Sequence, residues 1–143
     1  MATGTDALAL ALKAEHAAVF GYGLVGAHLD PATQPAARDA ELVHRNRRDA
    51  LILRLTQEKA TPPAASAAYA TPFPVTDRDS ALRLAVALET GASAAWHQAL
   101  GGTTGDERSL ALNALIDCAV RATQWRATAG ITPATVAFPG QAA

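Results

Sequence analysis

Four acidic side chains, Glu15, Glu41, Glu89 and Asp117, fall near the middle of four separate stretches of this 143-residue chain. At least two of them occupy positions where the surrounding apolar pattern calls for leucine. Burying several carboxylates is costly unless metal ions, protons or basic side chains compensate them, so their alignment demands a cause. One of the stretches contains Glu41-Leu42-Val43-His44, a Glu-x-x-His pair whose spacing points both side chains the same way on a helix. Carboxylate oxygens and imidazole together suit iron or manganese. The same residues admit a second chemistry, because Arg48 follows Glu41 by seven residues and Arg121 follows Asp117 by four. Two guanidinium groups at that level could replace a metal. Four negative charges against two positive ones leave a deficit that one divalent ion or two protons would cancel, so the count leaves both readings open.

For these side chains to meet, four helices must lie side by side. The first expected helix covers about residues 6–29, where Leu8, Leu12, Glu15, Val19, Tyr22, Gly26 and Leu29 follow steps of four and three. Asp30-Pro31 ends it. The second, about 35–58, opens near Pro35, which suits a first helical turn because its nitrogen has no proton to leave unpaired, and it stops before Pro62-Pro63. The third, about 77–100, follows Thr76 or Asp77 as a cap and carries Leu82, Val86, Glu89, Ser93, Trp96 and Leu100 on its inner stripe; Gly101-Gly102 closes it. The fourth, about 106–129, begins with Thr104-Gly105-Asp106-Glu107, the pattern of a capping box, and ends at Gly130 and Pro133. About a quarter of the residues are alanine and 5% are aromatic, a composition that favours closely approaching helices over sheets. The expected fold is all-α, a single domain over 1–143.

Each helix of about 24 residues is roughly 36 Å long, and short turns make each sequential pair an antiparallel hairpin. Between the hairpins lies a crossover, about residues 59–76, that contains Tyr69, Phe73 and four prolines. Extended, about 18 residues reach roughly 60 Å, enough to run the length of the bundle and start the third helix at the opposite end. Counting helical rise from the turns puts Glu15 level with Glu41, and Glu89 level with Asp117.

With these features the chain resembles the ferritin-like superfamily, and more closely a family of small, alanine-rich bacterial ferritin-like domains of unknown function. The resemblance is carried by Ala14-Glu15-His16-Ala17-Ala18-Val19-Phe20-Gly21-Tyr22-Gly23, by His44-Arg45-Asn46-Arg47-Arg48-Asp49, by Tyr69-Ala70-Thr71-Pro72-Phe73-Pro74-Val75 and by Val136-Ala137-Phe138-Pro139-Gly140. It implies a ferritin-like four-helix bundle in which Glu15, Glu41 and His44 form a first iron site and Glu89 and Asp117 complete a second. The fourth helix departs from the pattern: Asp117 stands for the usual Glu, and Val120 stands where the second histidine belongs. The favoured expectation is therefore a non-enzymatic bundle with a degenerate metal layer, filled by ion pairs among Glu15, Glu41, Glu89, Asp117, His44, Arg48 and Arg121. The rival is an iron- or manganese-dependent oxidase or ferroxidase using His44 and the carboxylates. A storage cage or DNA-protecting assembly is disfavoured by the lack of a basic arm.

The remaining residues narrow the field. Twelve basic against 13 acidic residues give a net charge of −1, which supplies no field for nucleic acid or an anionic membrane. Arg45, Arg47 and Arg48 are offset by Asp49 and Glu41 and read as a solvated or ion-paired face. The single cysteine, Cys118, has no partner in the chain and suits a reducing, cytoplasmic setting as a small core residue. Lys13, Glu15, His16 and His28 interrupt the apolar N-terminal stretch, so neither a signal peptide nor a membrane span is expected. His16, His28 and His97 lack partners at ligand spacing, and Tyr22 reads as a packed tyrosine. No phosphate loop, nucleophile elbow or paired-cysteine motif appears. The apolar tail, 131–143, together with Trp96, Trp125, Gly21, Gly23 and Gly26, favours a homodimer.

Overall fold

Thr3 starts the first helix of the computed structural model, which describes residues 3–142. Its hydroxyl accepts a hydrogen bond from the Asp6 amide at 3.1 Å while the Asp6 carboxylate accepts from the Thr3 amide at 3.0 Å, so two otherwise orphaned donors are satisfied reciprocally. Helix α1 spans Gly4–Ala27, α2 Gln34–Gln57, α3 Arg78–Gly102 and α4 Gly105–Thr128, with no strand among the described residues. All four expected helices are present, each within about two residues of its expected ends. Asp77 caps α3 by accepting from the Ser80 amide at 2.8 Å. The box expected at Thr104 and Glu107 does not form: Thr104 makes no side-chain cap, and Glu107 turns to Arg54 of α2 at 2.9 Å. An ion pair between helix ends takes the carboxylate that the cap would have used.

Two apolar clusters define the chain direction. One gathers Leu8 and Leu12 from the start of α1, Leu51 and Leu55 from the end of α2, Trp96 and Ala99 from the end of α3, and Ala111 and Leu115 from the start of α4. The other gathers Tyr22 and Val25 from the end of α1, Ala37 and Ala40 from the start of α2, Leu82 and Ala85 from the start of α3, and Trp125 near the end of α4. Helices α1 and α4 therefore run one way and α2 and α3 the other, and the segment after α2 traverses the whole bundle. His16 pins this crossover to α1 through the Pro63 carbonyl at 2.9 Å, Phe20 meets Tyr69 with ring centroids 5.3 Å apart, and Phe73 and Val75 pack against the second cluster.

Helix α1 packs against both α2 and α3, and α3 packs against α4. Helix α1 is long and apolar enough to cross a membrane. Half of that apolar stretch is buried within the bundle. Gly21 lets α1 pack tightly on α3, since a β-carbon there would lie 2.6 Å from the δ-carbons of Leu88, whereas Gly23 and Gly26 have open space around them.

Candidate functional site

Helix α2 sets the site, because its rotation decides which polar residues enter the bundle. Its buried residues are Ala37, Ala40, His44, Leu51 and Leu55. Arg47, three residues past His44 and four before Leu51, continues the same stripe with a side chain only 13% exposed. Glu41 and Arg48 each sit one residue beyond this stripe, a turn of about 100° around the helix. Glu41 accordingly lies on the outer flank and pairs with Arg45, while Arg48 pairs with Asp49 at 2.8 Å. The expectation that placed Glu41 and Arg48 in the central layer is corrected here: its register was one residue off, and Arg47 is the arginine that turns inward.

Between the two apolar clusters the inward polar residues meet. Glu15, His44 and Glu89, from α1, α2 and α3, have no exposed surface. His44 bridges the two acids, with Nδ1 2.6 Å from Glu15 Oε2 and Nε2 2.9 Å from Glu89 Oε1. Trp96 donates its indole proton to Glu15 Oε1 at 2.6 Å. Tyr22 donates its hydroxyl proton to Glu89 Oε1 and accepts the Trp125 indole proton at 2.8 Å. Arg47 Nη1 lies 3.5 Å from Glu15, and Arg121 Nη1 lies 3.7 Å from Glu89 Oε2, an oxygen without a hydrogen bond of its own. Asp117 stands at the rim, 37% exposed, where it accepts from Arg47 at 2.8 Å and from both terminal nitrogens of Arg121 at 2.8 and 3.0 Å. It touches the layer through the arginines alone.

The charges close without outside help. Burial alone would push the His44 imidazole toward its neutral form, but hydrogen bonds to Glu15 and Glu89 and their negative charge outweigh that and lift its pKa from 6.5 to about 9. Burial also works against the Arg47 and Arg121 charges, and the neighbouring carboxylates overcome it, so both are held more firmly protonated than an ordinary arginine. Burial acts against the Asp117 carboxylate as well, and its two arginine partners outweigh it and hold its pKa below the usual range. Glu15, Glu89 and Asp117 thus face His44, Arg47 and Arg121, three negative charges against three positive. Burial, followed by the nearby Glu89, pushes the Tyr22 hydroxyl well above its usual range, so it remains a proton donor.

These contacts decide how the layer fits a metal. A carboxylate-bridged dinuclear centre needs Glu41 inside and a free imidazole nitrogen, whereas Glu41 is outside and both His44 nitrogens are committed to carboxylates. Val120 is 52% exposed, so even a histidine in its place would start from a solvent-facing position. His44, Glu89 and Cys118 offer a different donor set, their nearest ligating atoms lying within 4.8 Å of one another. Two guanidiniums guard it: Arg47 Nη1 is 3.7 Å from the Cys118 sulfur and Arg121 Nη1 is 3.7 Å from Glu89. A cation entering there would meet two fixed positive charges in a low-dielectric interior, where repulsion is strong. The residues present do not fit the metal centre that the resemblance implied.

Pattern reading missed four contributors. Arg47 was legible from the steps of three and four that link His44 to Leu51. Tyr22, Trp96 and Trp125 are hydrogen-bond donors to the layer as well as packed aromatics, and the buried indoles, at 0% and 3% exposed, cannot anchor a partner's surface. The other histidines lie away from the layer: His16 binds the crossover, His28 binds the Leu24 carbonyl at 3.0 Å, and His97 lies under Gly140 of the tail.

Fold and site together define an all-α four-helix bundle with a buried, charge-balanced polar layer at mid-height. The chain belongs to a family described as a domain of unknown function (DUF4439), whose model matches residues 7–143. It is similar to a conserved hypothetical protein from Mycobacterium tuberculosis, whose crystal structure shares 38% identity with it and covers 87% of this chain and 96% of that one at a TM-score of 0.85. Among curated proteins there is no match.

Proposed function

We propose that this chain is a ferritin-like four-helix bundle working without a metal centre, a non-enzymatic scaffold whose former metal layer is filled by an imidazolium and two guanidiniums. The observation that carries the reading is His44, hydrogen-bonded through both ring nitrogens to Glu15 and Glu89. With its pKa raised to about 9 by these two acids, the ring carries a proton on each nitrogen at neutral pH, and a metal would have to displace one of them. The ferritin-like part is supported by the order of helix directions, by the crossover along the bundle and by acids that enter at mid-height from α1 and α3. With its core neutralised, the bundle acts through its surface.

Metal analysis of protein purified without chelator, repeated after loading with iron or manganese, tests this against the oxidase reading. Less than about 0.1 metal per chain and an unchanged melting temperature are expected, since a metal that binds the native state must stabilise it. Stoichiometric metal with a raised melting temperature would overturn the proposal.

A further inference from the structure

The outer face of α4 carries a run of large exposed apolar side chains. From Ser109 to Ala127 its exposed positions are Ser109, Leu112, Asn113, Ile116, Val120, Gln124 and Ala127, and none is charged. Leu112, Ile116 and Val120 are 45%, 53% and 52% exposed and succeed one another at intervals of four, forming one ridge. The tail continues it: Val136 shares a cleft with Val120, and Phe138, at 74%, is the most exposed large apolar side chain. The tail is held in place because Gly140, at φ +86°, fits against His97 and the Ser93 carbonyl. Helix α2 shows the contrast, since its exposed Leu42 and Leu53 are separated by Arg45, Asn46 and Asp49.

We infer that this face is a two-fold interface between copies of this chain, with α4 packing antiparallel on α4 about Ile116. The ridge is symmetric in the way such contact requires: Leu112 and Val120 lie four residues to either side of Ile116, and Ser109 and Thr123 seven. An isologous interface sets a patch against itself, so a charge on its axis would meet its own copy; the exposed positions around Ile116 are uncharged, with Arg108 and Arg126 at the ends of the face and Asp117 at its edge. A ridge of residues four apart is also the surface that interdigitates with its like in the commonest helix packing. Size agrees as well. The five apolar side chains expose on the order of 450 Å² per copy, over half of the roughly 800 Å² per partner that a stable interface buries, and the flanking polar residues supply a rim.

Light scattering coupled to size exclusion and sedimentation tests the inference on the whole chain. The wild type is expected at twice the 14.7 kDa chain mass. Ile116→Lys, which sets two like charges together on the axis, should weaken association at least about thirtyfold and leave helicity and melting of the monomer intact. Leu53→Lys, on α2, should remain dimeric. Ile116→Cys should form a spontaneous disulfide between copies while Leu53→Cys does not; the native Cys118 is buried and stays out of the readout. A monomeric wild type at about 100 μM, which would assign the face to a different partner, overturns the inference, as does a dimer that survives Ile116→Lys or is lost with Leu53→Lys. None of these results depends on metal content, so this inference and the metal-free core fail separately.

Discussion

Replacing His44 with glutamine should make stability nearly independent of pH across the interval where the native protein weakens. In the fold the imidazole keeps its proton up to about 9, against 6.5 for an ordinary histidine. The folded value is the higher one, so the folded chain binds a proton that the unfolded chain releases. The stabilisation is fully present below pH 6.5 and is lost as pH rises through 9. That interval, at about 1.4 kcal/mol per pH unit, amounts to about 3 kcal/mol. Urea unfolding at several pH values between about 6 and 9 should show the wild-type midpoint falling with a slope approaching one proton. Burial pushes the Cys118 thiol upward, so its own contribution begins to fade only as pH nears the ordinary thiol value of about 8.5, and the slope is read below about pH 8. His44→Gln should be less stable by about 3 kcal/mol near neutrality, because Glu15 and Glu89 lose the charge between them, and its midpoint should stay level with pH. A wild-type stability that is flat or rises between pH 6.5 and 9 would refute the reasoning, as would nitrogen chemical shifts of a neutral His44 ring at pH 7.

Two further substitutions separate the inward residues from the outward ones. Arg47→Leu should cost about 3 kcal/mol in denaturant unfolding by leaving Glu15 short of a counter-charge, whereas Arg48→Leu should cost less than about 0.5; equal effects would contradict the register of α2. Gly140→Ala should release the tail at a cost of about 1–3 kcal/mol, because an added β-carbon at φ +86° would come within 2.6 Å of His97 Cβ and 2.7 Å of the Ser93 carbonyl. Hydrogen exchange should then quicken around residues 131–142 and remain slow in the four helices.

Helices and their order were legible because their signals are local. Pro31, Pro35, the paired prolines after α2, Asp77 and the glycines that end α3 each act close to where they stand, so the boundaries followed from neighbours. The crossover was legible for a similar reason, since its length alone allowed it to span the bundle. Glu15 and Glu89 could be placed inside because leucines and Trp96 flank them at regular steps. The layer's other partners were harder to see. Arg47 lies between two more arginines, and only the steps of three and four that join His44 to Leu51 single it out. The donors from Tyr22, Trp96 and Trp125 depend on distances between helices, which no pattern along a single helix contains. Glu107 was misread because a cap is a local choice, while Arg54, the partner that displaced it, lies 53 residues away.

The fate of Glu41 shows what settled the register. Residues three before and three after His44 project about 60° to either side of it on a helix. With His44 held at the centre, Glu41 lies on one flank and Arg47 on the other, and a modest rotation of α2 would exchange them. Glu15 and Glu89 already bring two negative charges into the interior from neighbouring helices. Turning Glu41 inward would add a third and would require metal ions to offset it, as in a carboxylate-bridged centre. Turning Arg47 inward neutralises the layer with residues of the chain itself and draws Asp117 to the rim. The Glu-x-x-His motif is therefore compatible with two opposite interiors, and with Arg47 turned inward the layer is balanced by the chain's own side chains.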